Sequence, residues 1–187
     1  FIAVEDIYER FKTLLIGEMM KARIGDPLDE TVTLGPLARR DLRDQLHDQV
    51  QRSISAGAVL LTGGYVPEEP GFFYPPTVLE RCRRGIPVFD EETFGPVVAL
   101  CRARDEEHAM EIAADTEFGL GFSVFTGNPE RGEELALSAG AGACFVNTFV
   151  RSDPRLPFGG IGESGFGREL SAQGILEFTN CKTIYIK

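Results

Sequence analysis

Metal chemistry has little to work with in this sequence. It holds only two histidines, His47 and His108, both on predicted helices and read as solvated, with no metal-ligand partner at useful spacing. Its four cysteines, at 82, 101, 144 and 181, lie far apart, without the C-x-x-C spacing of a redox or zinc site. A reducing cytoplasm is the simplest home for such thiols. No apolar run approaches the roughly 18 residues of a transmembrane helix, and no signal peptide, internal repeat or low-complexity segment is visible in these residues. Basic residues are in the minority, 19 against 29 acidic, which gives a formal net charge of −10. Phosphates would be repelled, so neither nucleic acid nor an anionic membrane is an expected partner.

What is present suits a soluble α/β domain: 187 residues with 43% hydrophobic and 26% charged content, enough for a sizeable core. The opening "FIAVED" begins on Phe with a strand already in progress, so the chain is expected to be a piece of something longer.

Near the carboxyl end, "LPFGGIGESGFGRELS" contains Gly160, Gly162 and Gly165 in the G-x-G-x-x-G spacing of a dinucleotide-binding turn. That fingerprint needs a buried strand before it, a helix at its end and an acidic ribose ligand about 20 residues further on. The preceding "VRSDPRLPF" has two prolines and two arginines, which exclude a buried parallel strand, and the sequence stops at Lys187, short of a complete β-α-β unit. These glycines need another explanation.

"EDIYERFKTLLIGEMMKAR" places Ile7, Phe11, Leu14, Leu15 and Met19 at helical spacing, with acidic residues in the first turn. A loop rich in Gly, Pro and Asp follows, then a second amphipathic helix over about 39–56 that ends at Gly57, read as its C′ residue. "AVLLTGG" and "GFFYPPTVLE" read as short strands. From Val97 to Asn147 strands "VVALCRA", "GFSVFTG" and "ACFVN" alternate with two helices, the first capped by Asp105 and the second by Asn128 with Pro129 at its first position. Short connections imply one parallel sheet with right-handed crossovers. A last helix over about 168–178 precedes "KTIYIK", an alternating strand.

Two motifs flank that α/β unit: "EETFGPVV" (91–98) before its first strand and "NTFVRSDPRLPFGGIGESGFGRELS" (147–171) after its third. In this order they resemble the carboxyl-terminal part of an NAD(P)-dependent aldehyde dehydrogenase, and "IGDPLDETVTLGPL" and "EFTNCKTIYI" extend the resemblance over essentially the whole chain. The resemblance implies an α/β, parallel-sheet three-layer catalytic domain with a C-terminal oligomerisation strand. The expected division is 1–178, part of the catalytic domain, and 179–187, the strand that joins a neighbouring subunit, making a homo-oligomer.

In such enzymes a Cys thiolate attacks a small aldehyde, hydride passes to the nicotinamide, and a Glu-activated water hydrolyses the thioester. The resemblance gives Glu92 the role of accepting hydrogen bonds from both hydroxyls of the nicotinamide ribose, which suits a carboxylate; the plain alternative is a solvated loop carboxylate. Phe94 would pack near the nicotinamide, with Gly95 and Pro96 fixing the turn. Phe158 would line the aldehyde pocket, and Glu169 matches a position on a proton path, with a helix cap or salt bridge as the alternative. The glycines then serve close backbone packing and positive φ rather than phosphate. Many relatives have Lys where Gly162 stands.

"SDPRLPFGG" followed by "GRELSAQGI" is most similar to the succinate-semialdehyde branch, against other small or ω-carboxylated aldehydes. There the Ser five residues after the Asn of the third strand, here Ser152, donates to the substrate's distal carboxylate, and a second anchor, usually an Arg, is expected from upstream; Arg151 or Arg155 could contribute but are more often plain surface charges. The family's nucleophilic Cys, its general-base Glu and most of its NAD or NADP site come from sequence upstream of the residues in hand, so no catalytic residue is expected here. Cys82, in "LERCRRG", has three arginines nearby that could lower its pKa, but no catalytic context, and reads as a loop cysteine. Two readings remain open: an enzyme portion, inert alone, and a non-catalytic binding or assembly module of the same fold.

Overall fold

The computed structural model describes residues 1–187, which fall into two compact units, Phe1–Ile112 and Ala113–Lys187.

The first unit is built on a four-stranded sheet in which β1 (Ile2–Val4), β4 (Val97–Ala103), β3 (Thr77–Glu80) and β2 (Val59–Thr62) lie side by side in that order. β1 and β3 both run parallel to β4, with Ile2 opposite Cys101 and Thr77 opposite Val97, while β2 closes the edge antiparallel to β3. β4 is central, which explains why "VVALCRA" reads as a nearly continuous apolar run. Successive strand residues point to opposite faces, and the core divides accordingly. Leu100 packs with Ala3 and Tyr8 and with Phe11 and Leu15 of α1 (Glu5–Met19). Cys101 packs with Leu46 and Val50 of α2 (Arg40–Ser55) and with Leu79, Ile86 and Val88. One helix on each face makes this unit three-layered. Ile7 and Leu14, expected on the packing face of α1, are instead exposed, and Tyr8 takes the buried position.

Helix ends follow the expected chemistry. Gly57 has φ of 105° and its N–H donates to the Ile54 carbonyl, as a C′ glycine should. Asp105 Oδ1 accepts from the N–H of His108 at the start of α4 (Glu106–Ala114). α3 is a single turn, Pro87–Asp90.

In the second unit β6 (Gly121–Val124) and β7 (Ala143–Val146) are parallel and joined by α5 (Pro129–Ser138). Asn128 caps α5, its Oδ1 accepting from the N–H groups of Glu130 and Arg131. β5 (Phe118–Gly119) pairs antiparallel with β8 (Ile161–Gly162), and α6 spans Ser171–Leu176. The single parallel sheet expected from Val97 to Asn147 is therefore divided. β4 completes its hydrogen bonding with β1 and β3, and β6 pairs with β7; alternation of strand and helix fixes local pairing habits but not which strands become neighbours.

The last helix is shorter than expected, and residues 179–187 form no strand. Ile184, Tyr185 and Ile186 are 76%, 83% and 87% exposed. The alternating pattern is there, but a strand exists only through a partner's backbone groups, and no segment of this chain supplies them.

The second unit also explains one glycine by contact. A Cβ on Gly142 would lie 1.8 Å from the carbonyl oxygen of Gly159, so two backbones cross where no side chain fits. Gly142→Ala should cost about 3 kcal/mol or more, at the upper end of overpacking. Gly17, inside α1 with nothing within 4 Å of its would-be Cβ, is the control; Gly17→Ala should stabilise by roughly 1 kcal/mol. Urea midpoints of the two variants moving in opposite directions is the expected result.

Candidate active-site segments

Glu92 and Phe94 sit in the turn that follows α3 and leads into β4, and helix α2 holds that turn from below. Gln49, 4% exposed, donates its amide N–H to both the Glu91 carboxylate (3.0 Å) and the Glu92 carbonyl (3.0 Å). One turn later Ser53, fully buried, accepts from the Val88 N–H at 3.0 Å while donating to the Gln49 carbonyl. Arg52 grips both oxygens of Glu91 at 2.8 and 2.9 Å. Gly95 completes the seat: a Cβ there would stand 2.4 Å from Leu46 Cδ2. The clamp falls on Glu91, so its neighbour is left free. Glu92 is exposed with no hydrogen bond or ion pair on its carboxylate, and Phe94 is 73% exposed. Arg52 and Gln49 hold the Glu91 carboxyl down at about 2.

The other three predicted residues belong to the second unit. β7 ends at Val146, and the next residue, Asn147, has φ of 55°; its side-chain amide accepts from the Thr126 N–H at 2.8 Å and donates to the Thr126 carbonyl at 3.0 Å. The side chain thereby imitates a strand residue and fixes where the chain leaves the sheet. The departing segment returns at Phe158, whose N–H and C=O both pair with Glu169, at 2.9 and 2.8 Å. This antiparallel bridge closes the glycine-rich loop. Inside it Gly162, Gly165 and Gly167 take positive φ, and Arg168 donates to the carbonyls of Gly160 and Gly167. Gly159 and Gly160 pack closely, since a Cβ on either would meet the Gly167 carbonyl or Ser164.

Between Asn147 and the bridge lies a cleft of about 240 Å³ lined by Ala143, Cys144, Phe145, Leu156, Pro157 and Phe158, with Arg151 and Asp153 as its charged members. Phe158 is in its wall. Ser152 is exposed and lies outside the lining. Arg155 is tied to Asp153 by two contacts, 2.9 and 2.6 Å, which with Arg151 nearby hold the aspartate well below the usual carboxylate range. Glu169 keeps its carboxylate exposed; the cap position of α6 belongs to Leu170, and no ion pair engages the acid, so neither the cap nor the salt bridge is formed.

Two other expectations are corrected. Cys82 is 5% exposed and packs in the core, and burial pushes its thiol up to about 12, with nearby Cys101 adding to the rise; the flanking arginines do not make it a thiolate. Both histidines are half-buried and engaged: His47 Nδ1 is 3.1 Å from the Tyr74 hydroxyl, and His108 Nδ1 accepts from the Arg104 N–H. Gln49, Ser53, Asn147 and Arg168 escaped the sequence reading. Gln49 and Ser53 left a trace there, being polar residues four apart on the same stripe as Leu46 and Val50.

The sequence profile of the aldehyde dehydrogenase family matches residues 1–184, nearly the whole chain. The chain belongs to this family. It is 44% identical over 185 residues to the NAD(P)+ succinate semialdehyde dehydrogenase Sad of Escherichia coli, covering 99% of this chain and 40% of that protein. It is 43% identical over 186 residues to the NADP+ succinate-semialdehyde dehydrogenase of Mycobacterium leprae, covering 100% and 41%. The crystal structure of succinic semialdehyde dehydrogenase from Streptococcus pyogenes with NADP+ superposes with a TM-score of 0.96 at 39% identity, over all of this chain and 41% of that one. The fold is that of these α/β enzymes, and the chain spans about two-fifths of the length of the relatives it matches. No helix is long and apolar enough to cross a membrane.

Two measurements check this geometry. Because the Glu91 pKa is depressed in the folded state, its stabilising effect is complete above the unfolded value near 4.3 and fades as pH falls toward about 2. The gap in thermal midpoint between the native chain and Glu91→Gln should therefore be open at neutral pH and close below about pH 3. A gap that stays constant across that range would show that the ion pair is not its source. Thiol labelling of the native chain at neutral pH should reach the exposed Cys181 at once and Cys82 and Cys101 only on unfolding.

Proposed function

We propose that this chain is the carboxyl-terminal part of the catalytic domain of an NAD(P)-dependent aldehyde dehydrogenase that oxidises succinate semialdehyde to the acid. The observation that carries the reading is the end-to-end match of the chain to two-fifths of enzymes named for that substrate. Glu92 fits a ribose diol: its carboxylate is exposed and unengaged, so both oxygens are available as acceptors, while Glu91 bears the structural load of the turn. Phe94 offers an open ring face beside it. When bound, NAD(P)+ would supply the hydride acceptor.

The register of β1 supports the same assignment. The amino group of Phe1 donates to the Ala99 carbonyl at 2.8 Å, and Cys101 N–H donates to the Phe1 carbonyl, so β1 is paired from its first residue. In a parallel pair, a segment leading into Phe1 in line with β1 runs back beside Val97 toward the Glu92–Phe94 turn. In the family the nucleophilic cysteine stands a few residues ahead of this point. Cys82 and Cys101 are buried with raised thiol pKa values, burial also raises the Cys144 thiol, and Cys181 stands exposed in the unpaired terminal segment; none has a catalytic motif around it, so the chain alone should be inert. In this reading Phe158 lines the aldehyde pocket, Ser152 donates to the distal carboxylate, and Glu169 stands on a proton path. Residues 182–186 gain a strand partner in a neighbouring subunit, consistent with their exposed alternating face.

In the parent-length enzyme, Ser152→Ala should lower kcat/KM for succinate semialdehyde by about tenfold or more, as one charge-assisted hydrogen bond is worth roughly 1.5–3 kcal/mol. Butanal oxidation should be little changed. Equal losses on both aldehydes would remove Ser152 from carboxylate recognition, and NAD(P)H formation by the 187-residue chain alone would contradict its inertness.

A further inference from the structure

We infer that Arg151 is the anion-recognising side chain of the cleft beside Phe158, and that this cleft takes a small carboxylate carried on an apolar stem. The inference rests on the reading of the parent as an enzyme of ω-carboxylated aldehydes, and adds a residue that the Ser152 assignment leaves out.

The cleft walls are apolar apart from two charged residues, Arg151 and Asp153. A carboxylate in the wall would ordinarily repel an anionic ligand and satisfy a neighbouring arginine. Here Arg155 occupies both oxygens of Asp153, one at 2.9 Å and the other at 2.6 Å, and its backbone N–H adds a further contact to Asp153 Oδ1 at 2.9 Å. Arg151 makes no hydrogen bond or close ion pair, although its charge helps to hold the Asp153 carboxyl low. Between Thr148 and Phe158 the chain carries two arginines against one aspartate, a positive stretch in a chain of formal net charge −10. With both its oxygens taken by Arg155, Asp153 leaves the Arg151 donors without a hydrogen bond. A guanidinium over an apolar wall can bind a carboxylate bidentately while the stem lies against Phe158, Leu156 and Phe145. Ser152, one residue on, lies outside that wall.

The test is amide NMR of the full chain titrated with butanoate and, separately, with butanamide, which shares the stem but lacks the charge. Butanoate should shift signals around Arg151 and Phe158 and saturate; butanamide should bind at least about tenfold more weakly. Arg151→Gln should lose about tenfold or more in butanoate affinity and Arg151→Lys only part of it, since Lys keeps the charge without the fork. Because Arg151 is exposed, both variants should keep the native spectrum elsewhere. Equal binding of the two ligands, no binding of butanoate, or an unaltered Arg151→Gln affinity would overturn the inference, as would Ser152→Ala abolishing binding that Arg151→Gln leaves intact. No cofactor or turnover enters this measurement. Its failure falls on Arg151 alone, whereas a parent enzyme that prefers butanal to succinate semialdehyde fails the substrate reading.

Discussion

The buried amide of Gln49 is the contact on which the turn between α3 and β4 depends. It reaches out of the core face of α2 to two consecutive residues, the Glu91 carboxylate and the Glu92 carbonyl. A polar side chain this deep is tolerable only when its hydrogen bonds are made, and making them fixes the path of the chain between α3 and β4. Ser53, Arg52 and the close seat of Gly95 on Leu46 extend the same constraint along one helix face. Each bond contributes little net stability, about 1 kcal/mol. Their joint effect is positional: the residue next to the clamp, Glu92, is held in place by its backbone and keeps its carboxylate free.

The second unit solves a similar problem with backbone pairs. Its loop from Asn147 to Glu169 has many glycines and prolines, and a chain of that composition has many conformations to lose. Two closures limit them. The Asn147 side chain pairs with the backbone N–H and C=O of Thr126 at one end, and the Phe158 backbone pairs with the backbone N–H and C=O of Glu169 at the other. Between them the arginines divide their work. Arg168 satisfies loop carbonyls, Arg155 occupies both oxygens of Asp153, and Arg151 alone makes no hydrogen bond.

Much of this was legible in one dimension wherever a local rule was decisive. Asn128 followed by Pro129, Asp105 ahead of "EEHAM", and Gly57 after a helical run each specify a helix end through a neighbour within four residues, and each is found there. The turn at 91–96 and the glycine-rich loop were also visible, as motifs. The misses share a cause. His47 was read as solvated, but Tyr74, 27 residues away, engages it; Cys82 was read from its three arginine neighbours in sequence, but its surroundings in space are Leu79, Val50 and Cys101. Sequence proximity is a poor guide to burial, and burial dominates a thiol's pKa.

Sequence alone determined the family, several helix ends and the alternation of strands with helices, because these rest on short-range pattern and on motif spacing. Only the tertiary structure decided that β4 sits between β1 and β3 while β6 pairs with β7, that Glu91 is clamped so that Glu92 is free, and that Arg151 is unpaired while Arg155 is not. Those outcomes depend on which distant groups meet and which hydrogen bonds are already taken. The terminal segment marks the boundary between the two kinds of information: "KTIYIK" encodes a strand by its alternation, yet residues 182–187 stay unpaired because a strand's hydrogen bonds belong half to another segment, and this chain does not supply one.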